Sequence, residues 1–176
     1  MKRILSSFVL VLGLAACAGK PVEPRVQFGD VGLVLHLPAA MRQAADSLAP
    51  GFKMVRADQF RSDVSQLAAQ DAGTIQALFA LVADFDGDGT PDAVEEGTIP
   101  GDTALRVIAI LNGAKPRAMY VARYPVFDAD AVGIYLSLPR GSPNGTFQVV
   151  NYPDSSASYQ LKDAQFVLVA PAREPL

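Results

Sequence analysis

The residues best equipped for chemistry lie in one run, Asp84-Phe85-Asp86-Gly87-Asp88-Gly89-Thr90-Pro91-Asp92-Ala93-Val94-Glu95. Carboxylates stand at Asp84, Asp86, Asp88, Asp92 and Glu95, with two glycines among them. Carboxylates at alternate positions of a tightly curled loop can all face one centre. A hard cation such as Ca²⁺ takes about six to eight oxygen ligands, so such a loop suits it. Gly89, at the sixth position, permits the sharp turn. Thr90 offers its backbone carbonyl, and Glu95 at the twelfth position can close the shell with two oxygens. Without an ion, these carboxylates would repel one another. The expected ligands are therefore Asp84, Asp86, Asp88, Thr90, Asp92 and Glu95, with Ca²⁺ as the cofactor and a structural role for the ion. The alternative is an Asp/Gly-rich surface turn that binds nothing.

The flanking residues decide what holds this loop. Ala77, Phe79, Leu81 and Ala83 alternate as in a strand, although Ile75, Phe79 and Val82 also fit a helix. A helix leaving the loop is excluded by Gly97 and Pro100, and Pro91 occupies a position where a paired helix-loop-helix uses a backbone N–H. The reading is strand, metal loop, strand, over about 77–83 and 93–96. Downstream, strands are expected at 104–111, 118–124, 132–138, 146–152 and 165–170, punctuated by the turn dipeptides Asn112-Gly113 and Asn144-Gly145. Upstream, 31–37 reads as a first strand and Ala39–Leu48 as a helix entered through Pro38. A second helix is expected over 57–69, with Phe60, Val64 and Leu67 on one face. The fold class is α+β: an N-terminal helical part followed by a largely antiparallel β-sheet, with the calcium loop between two strands.

The first residues stand apart from the fold. Lys2 and Arg3 precede a short apolar stretch, Ile4–Leu14, too short to span a bilayer, and then Leu14-Ala15-Ala16-Cys17. That tetrad resembles the lipobox of bacterial lipoproteins. The resemblance implies a signal peptide over 1–16, lipidation of Cys17, and a tether over 17–27 carrying two prolines. Residues 28–176 then form a single α+β domain. Ala18, where an aspartate would favour inner-membrane retention, implies the outer membrane facing the periplasm. The alternative is an ordinary secretory signal cleaved near Ala16 or Ala18. Cys17 is the only cysteine, so the fold uses no intrachain disulfide. Without Lys2 and Arg3 the chain carries 13 basic against 18 acidic side chains, which argues against nucleic acid as a partner. The expected partners are the membrane, through the anchor, and an envelope protein.

Residues 80–94, with their Asp-x-Asp-x-Asp-Gly-x-x-Asp core, also resemble the calcium loops of FG-GAP and VCBS-type repeats, in which one strand runs into the loop and another leaves it. The resemblance implies ligation by the Asp84, Asp86, Asp88 and Asp92 side chains and the Thr90 carbonyl. Glu95 matches the EF-hand pattern alone. Those families repeat the unit around a propeller, whereas this chain holds one copy. The layout is similar to small proteobacterial lipoproteins of unassigned function.

Other chemistry is thinly supplied. His36 is the only histidine, no Gly-x-Ser-x-Gly elbow is present, and a conventional zinc site lacks ligands. Glu95-Glu96 and Asp128/Asp130 are conceivable acid/base pairs for glycoside cleavage, but the chain has no tryptophan for sugar stacking. Tyr120, Tyr124 and Tyr135 read as core-edge residues, and Arg106 and Arg123 as solvent-facing or paired with carboxylates. The expected function is a non-enzymatic, lipid-anchored calcium-binding module with a binding or envelope-assembly role. The alternative is a calcium-assisted hydrolase acting on an envelope polymer.

Overall fold

A computed structural model describes residues 23–29, 32–71, 78–125, 131–138, 145–153 and 155–171. It shows two antiparallel sheets sharing one core, a separate two-stranded hairpin and two α-helices. The hairpin pairs β1 (Arg25–Gly29) with β2 (Gly32–His36). Helix α1 (Ala39–Leu48) follows, then β3 (Lys53–Met54), a 3₁₀ turn over Ala57–Gln59, and α2 (Ser62–Asp71). After them come β4 (Ala80–Ala83), β5 (Asp92–Thr98), β6 (Ala104–Leu111) and β7 (Arg117–Pro125). The chain closes with β8 (Ile134–Ser137), β9 (Thr146–Asn151), β10 (Ser155–Lys162) and β11 (Gln165–Pro171).

The first sheet is centred on β5. One edge of β5 pairs with β6, which pairs onward with β7. Its other edge is shared end to end, β4 taking Asp92 to Glu95 and β3 taking Gly97 and Thr98. Between those two partners the Glu96 N–H donates to the Phe79 carbonyl and the Val55 N–H to the Glu96 carbonyl, each at 3.0 Å. β5 is therefore bonded along its whole length, and its residues 92–97 are all buried. The second sheet is a meander, β8-β9-β10-β11 in chain order.

Alternation decides which face each side chain covers. On one face of the first sheet, Glu95, Ile108 and Tyr120 line up across β5, β6 and β7. Helix α1 covers this face, burying Met41 and Ala45 one turn apart. The helix has no acidic residue in its first turn, no basic residue in its last and no side-chain hydrogen bond at its N-cap, Pro38. Its Leu48 carbonyl instead accepts a hydrogen bond from the Tyr120 hydroxyl at 3.1 Å. The opposite face carries Val94, Glu96, Leu105, Val107 and Tyr124, and meets the second sheet. Ile134, Leu136, Phe147 and Val149 alternate inward from β8 and β9. The Tyr124 and Tyr159 hydroxyls share a hydrogen bond of 3.1 Å between the sheets.

Several expectations need correction. Among the described residues a β-hairpin precedes the helices, and β3 and a 3₁₀ turn separate the two, so a helical N-terminal part is not supported. Residues 25–27, assigned to the tether, lie in β1. The second helix starts at Ser62 rather than 57, because Phe60 is extended and bridges Val132, with Val132 N–H donating to the Gln59 carbonyl at 2.8 Å. The strand entering the loop begins at Ala80, and residues 72–77 lie outside the described part. β10 was not expected: Ser155, Ser156 and Ser158 disguise a strand whose Tyr159 stacks on Phe147.

Candidate metal centre

The loop is held at both ends by the β4–β5 pair, in which Ala83 faces Asp92. Gly87 and Gly89 take left-handed conformations, φ +80° and +86°, which side-chain-bearing residues resist. The curl brings Asp84, Asp86 and Asp88 together, with one oxygen of each within 4.8 Å of the others. The loop's own backbone organises them. Asp84 accepts from the Gly87 N–H at 2.7 Å and the Gly89 N–H at 3.0 Å, and Asp86 accepts from the Asp88 N–H at 3.1 Å. Asp88 accepts from the Thr90 N–H at 2.7 Å and from the Thr90 hydroxyl, which hold its carboxyl below the usual range. Among the described residues no lysine or arginine forms an ion pair with the three. Asp86 and Asp88 are exposed and Asp84 is half-buried, so the group opens to solvent on one side. Three carboxylates with no basic partner among the described residues make an all-oxygen, hard donor set that can hold a divalent cation.

Asp92 sits behind the trio rather than in it. It is fully buried, and its two oxygens accept from the Phe85 N–H at 2.8 Å and the Asn112 N–H at 2.7 Å. Burial pushes its carboxyl up to about 6, against the pull of those two donors. It ties the loop to the start of β5 and to the β6–β7 turn. Thr90 contributes through the Asp88 contacts already given. Glu95 lies elsewhere. It faces Ala80 in the β4–β5 register, three residues beyond Asp92, or roughly 10 Å along the strand. Its carboxyl points under α1, where burial raises it to about 7, with Arg42 drawing it down and Asp46 pushing it up. The physical reason is the exit: a helix would bring the twelfth residue back to the ion, whereas a strand carries it away.

Three further residues build the site. Phe85, 3% exposed, points out of the loop into the core between the sheets, edge-on to Phe147 (5.6 Å) and Phe166 (6.3 Å). Gly145 packs against the loop backbone so closely that a Cβ there would lie 2.5 Å from the Phe85 carbonyl oxygen. Asn112 accepts from the Gly113 N–H at 3.0 Å through its Oδ1, while its Nδ2 is buried without a partner. Asn112-Gly113 was legible as a turn but not as a wall of the site.

His36 is half-buried on β2 and hydrogen-bonded to Gln27 at 2.8 Å, outside the acidic group. Arg106 and Arg123 both pair with Asp102, at 2.6 and 3.1 Å, and the Arg106 guanidinium lies 5.1 Å over the Tyr120 ring. Cys17, Asp128 and Asp130 fall outside the described residues. No family model, curated protein or solved structure matches the chain, so the reading of the loop rests on its own geometry.

Proposed function

We propose that the chain is a calcium-binding module of the cell envelope in which one structural Ca²⁺ occupies the Asp84–Asp88 loop. The carrying observation is the convergence of the Asp84, Asp86 and Asp88 oxygens within 4.8 Å, with no basic side chain paired to them. The Thr90 carbonyl would add an oxygen to the three carboxylates, and Asp92 would brace the loop from behind through its bonds to the Phe85 and Asn112 N–H groups. An ion bound there would relieve the repulsion within the loop and hold the β4–β5 turn in one shape. Ca²⁺ is favoured over Mg²⁺ because an irregular, solvent-open carboxylate loop suits a larger ion of flexible coordination better than one demanding a near-ideal octahedron.

The Leu14-Ala15-Ala16-Cys17 tetrad supports anchoring through lipid on Cys17, at the periplasmic side of the outer membrane. Among the described residues no helix is long and apolar enough to cross a membrane. The reading is of a non-enzymatic module that binds or helps assemble an envelope protein.

The test is thermal unfolding of the full chain in EDTA, Ca²⁺ or Mg²⁺, beside Asp86→Ala. Ligand at one hundred times its dissociation constant stabilises by about 2.7 kcal/mol. For a chain of this size that raises Tm by roughly 5–10 °C. The rise should be specific to Ca²⁺ and absent in Asp86→Ala; no rise in the wild-type chain sinks the calcium reading.

A further inference from the structure

Glu96 is the chemically unusual residue of the interior. It lies in the middle of β5 with none of its surface exposed, and neither carboxyl oxygen has a hydrogen-bond partner. Buried polar groups without partners are rare, and a buried, unpaired carboxylate is costlier still. Alternation sends Glu95 under α1 and Glu96 into the space between the sheets, beside Val107 of β6. Among the described residues, Tyr124 of β7, hydrogen-bonded to Tyr159 of β10, is the titratable group that faces it across the sheet. Burial and the Tyr159 hydrogen bond raise Tyr124, with Glu96 a smaller cause that marks their proximity.

The next residue outward on the same face is Thr98, level with Lys53 of β3 and Leu105 of β6. These three, with Met54, Val55, Arg56, Gln59 and Val132, line a cleft of about 240 Å³ beside this end of β5. Lys53 and Arg56 line this cleft, and burial raises the Glu96 carboxyl well above its usual range.

We propose that Glu96 is a proton-held latch: as a neutral acid it lets the two sheets close, and loss of its proton loosens them at the Lys53–Thr98–Leu105 cleft. The neutral acid can be buried far more cheaply than the anion, which must draw in water or leave the interior. The sign follows from linkage. The folded chain binds this proton more tightly than the unfolded chain does, so stability is greatest below the ordinary glutamate range. It falls as pH rises from there towards the folded value.

The test compares thermal midpoints of the wild-type chain and Glu96→Gln, which is isosteric and cannot ionise, between about pH 5 and pH 9. The midpoints should differ least at the acid end, and the gap in favour of Glu96→Gln should widen by roughly 5–10 °C towards the alkaline end. The widening is expected in EDTA and in Ca²⁺ alike, which separates it from the metal reading. Parallel profiles overturn the latch. If the variant does not fold, the wild-type chain decides by hydrogen exchange corrected for the intrinsic pH dependence. Amides of β5 and β10 should then open roughly tenfold more at pH 9 than at pH 6 relative to those of α2. An unchanged ratio refutes the proposal.

Discussion

Phe85 occupies the second position of the acidic loop yet serves the core, so truncating it tests whether loop and core are one unit. The ring is 97% buried by its 3% exposure and sits edge-on to Phe147 and Phe166 at 5.6 and 6.3 Å. Phe85→Ala removes that burial and leaves a cavity, at a cost of about 3–5 kcal/mol, of which the two ring pairs account for roughly 1–2. A loss of about 4 kcal/mol lowers Tm by roughly 8–16 °C in a domain of this size. The ring also fixes the backbone between Asp84 and Asp86, together with the Asp92 bond to the Phe85 N–H at 2.8 Å. Once the ring is gone, binding at the proposed Ca²⁺ site must itself order that backbone, and the affinity for calcium expected there should fall roughly tenfold. Urea unfolding in EDTA reads the first effect and calorimetric titration with Ca²⁺ the second. A destabilised variant that binds calcium as tightly as wild type would show that ring and loop act independently, refuting the coupling.

Two further outcomes follow from the geometry. Glu95, held at about 7 by burial, binds its proton more tightly folded than unfolded, so its contribution to stability is lost as pH rises from about 4.5 to 7. Glu95→Gln should flatten that decline and gain up to about 3 kcal/mol at pH 8, read from urea midpoints at pH 5 and 8; unchanged slopes would contradict it. Gly145→Ala meets both a left-handed backbone, φ +79°, and the Phe85 carbonyl, whereas Gly87→Ala, at φ +80°, meets nothing within 4 Å. The first should cost roughly 1–3 kcal/mol more than the second and shift the loop's amide resonances; equal costs would remove Gly145 from the site.

The legible part of the site was its local part. Aspartates at every second position with two glycines specify a curl, and the structure brings Asp84, Asp86 and Asp88 together accordingly. Glu95 was misplaced because a spacing says nothing about where a strand, rather than a helix, takes the twelfth residue. The β-rich latter half was legible from alternation, as in Ile134–Ser137, where burial alternates along the strand. β10 was not, since its serines break the apolar pattern and its turn, Asp163–Ala164, carries positive φ on residues other than glycine. The burial of Glu96 is purely tertiary. Adjacent glutamates in a strand must point opposite ways, but only packing reveals that both faces are covered.

The order of the strands bears on how the chain reaches this state. β4 to β7 and β8 to β11 each pair with neighbours in sequence, so these strands can zip up by closing short loops at modest entropic cost, whereas β3 must reach β5 past β4. The contact between the sheets is different, joining Phe85 to Phe166 and Tyr124 to Tyr159 across long stretches of chain. Docking of two preformed meanders is therefore the natural late event in folding. Substitutions at Phe85 should act chiefly on the stage after the hairpins exist, since its ring meets Phe147 of β9 and Phe166 of β11 only once the second sheet is present.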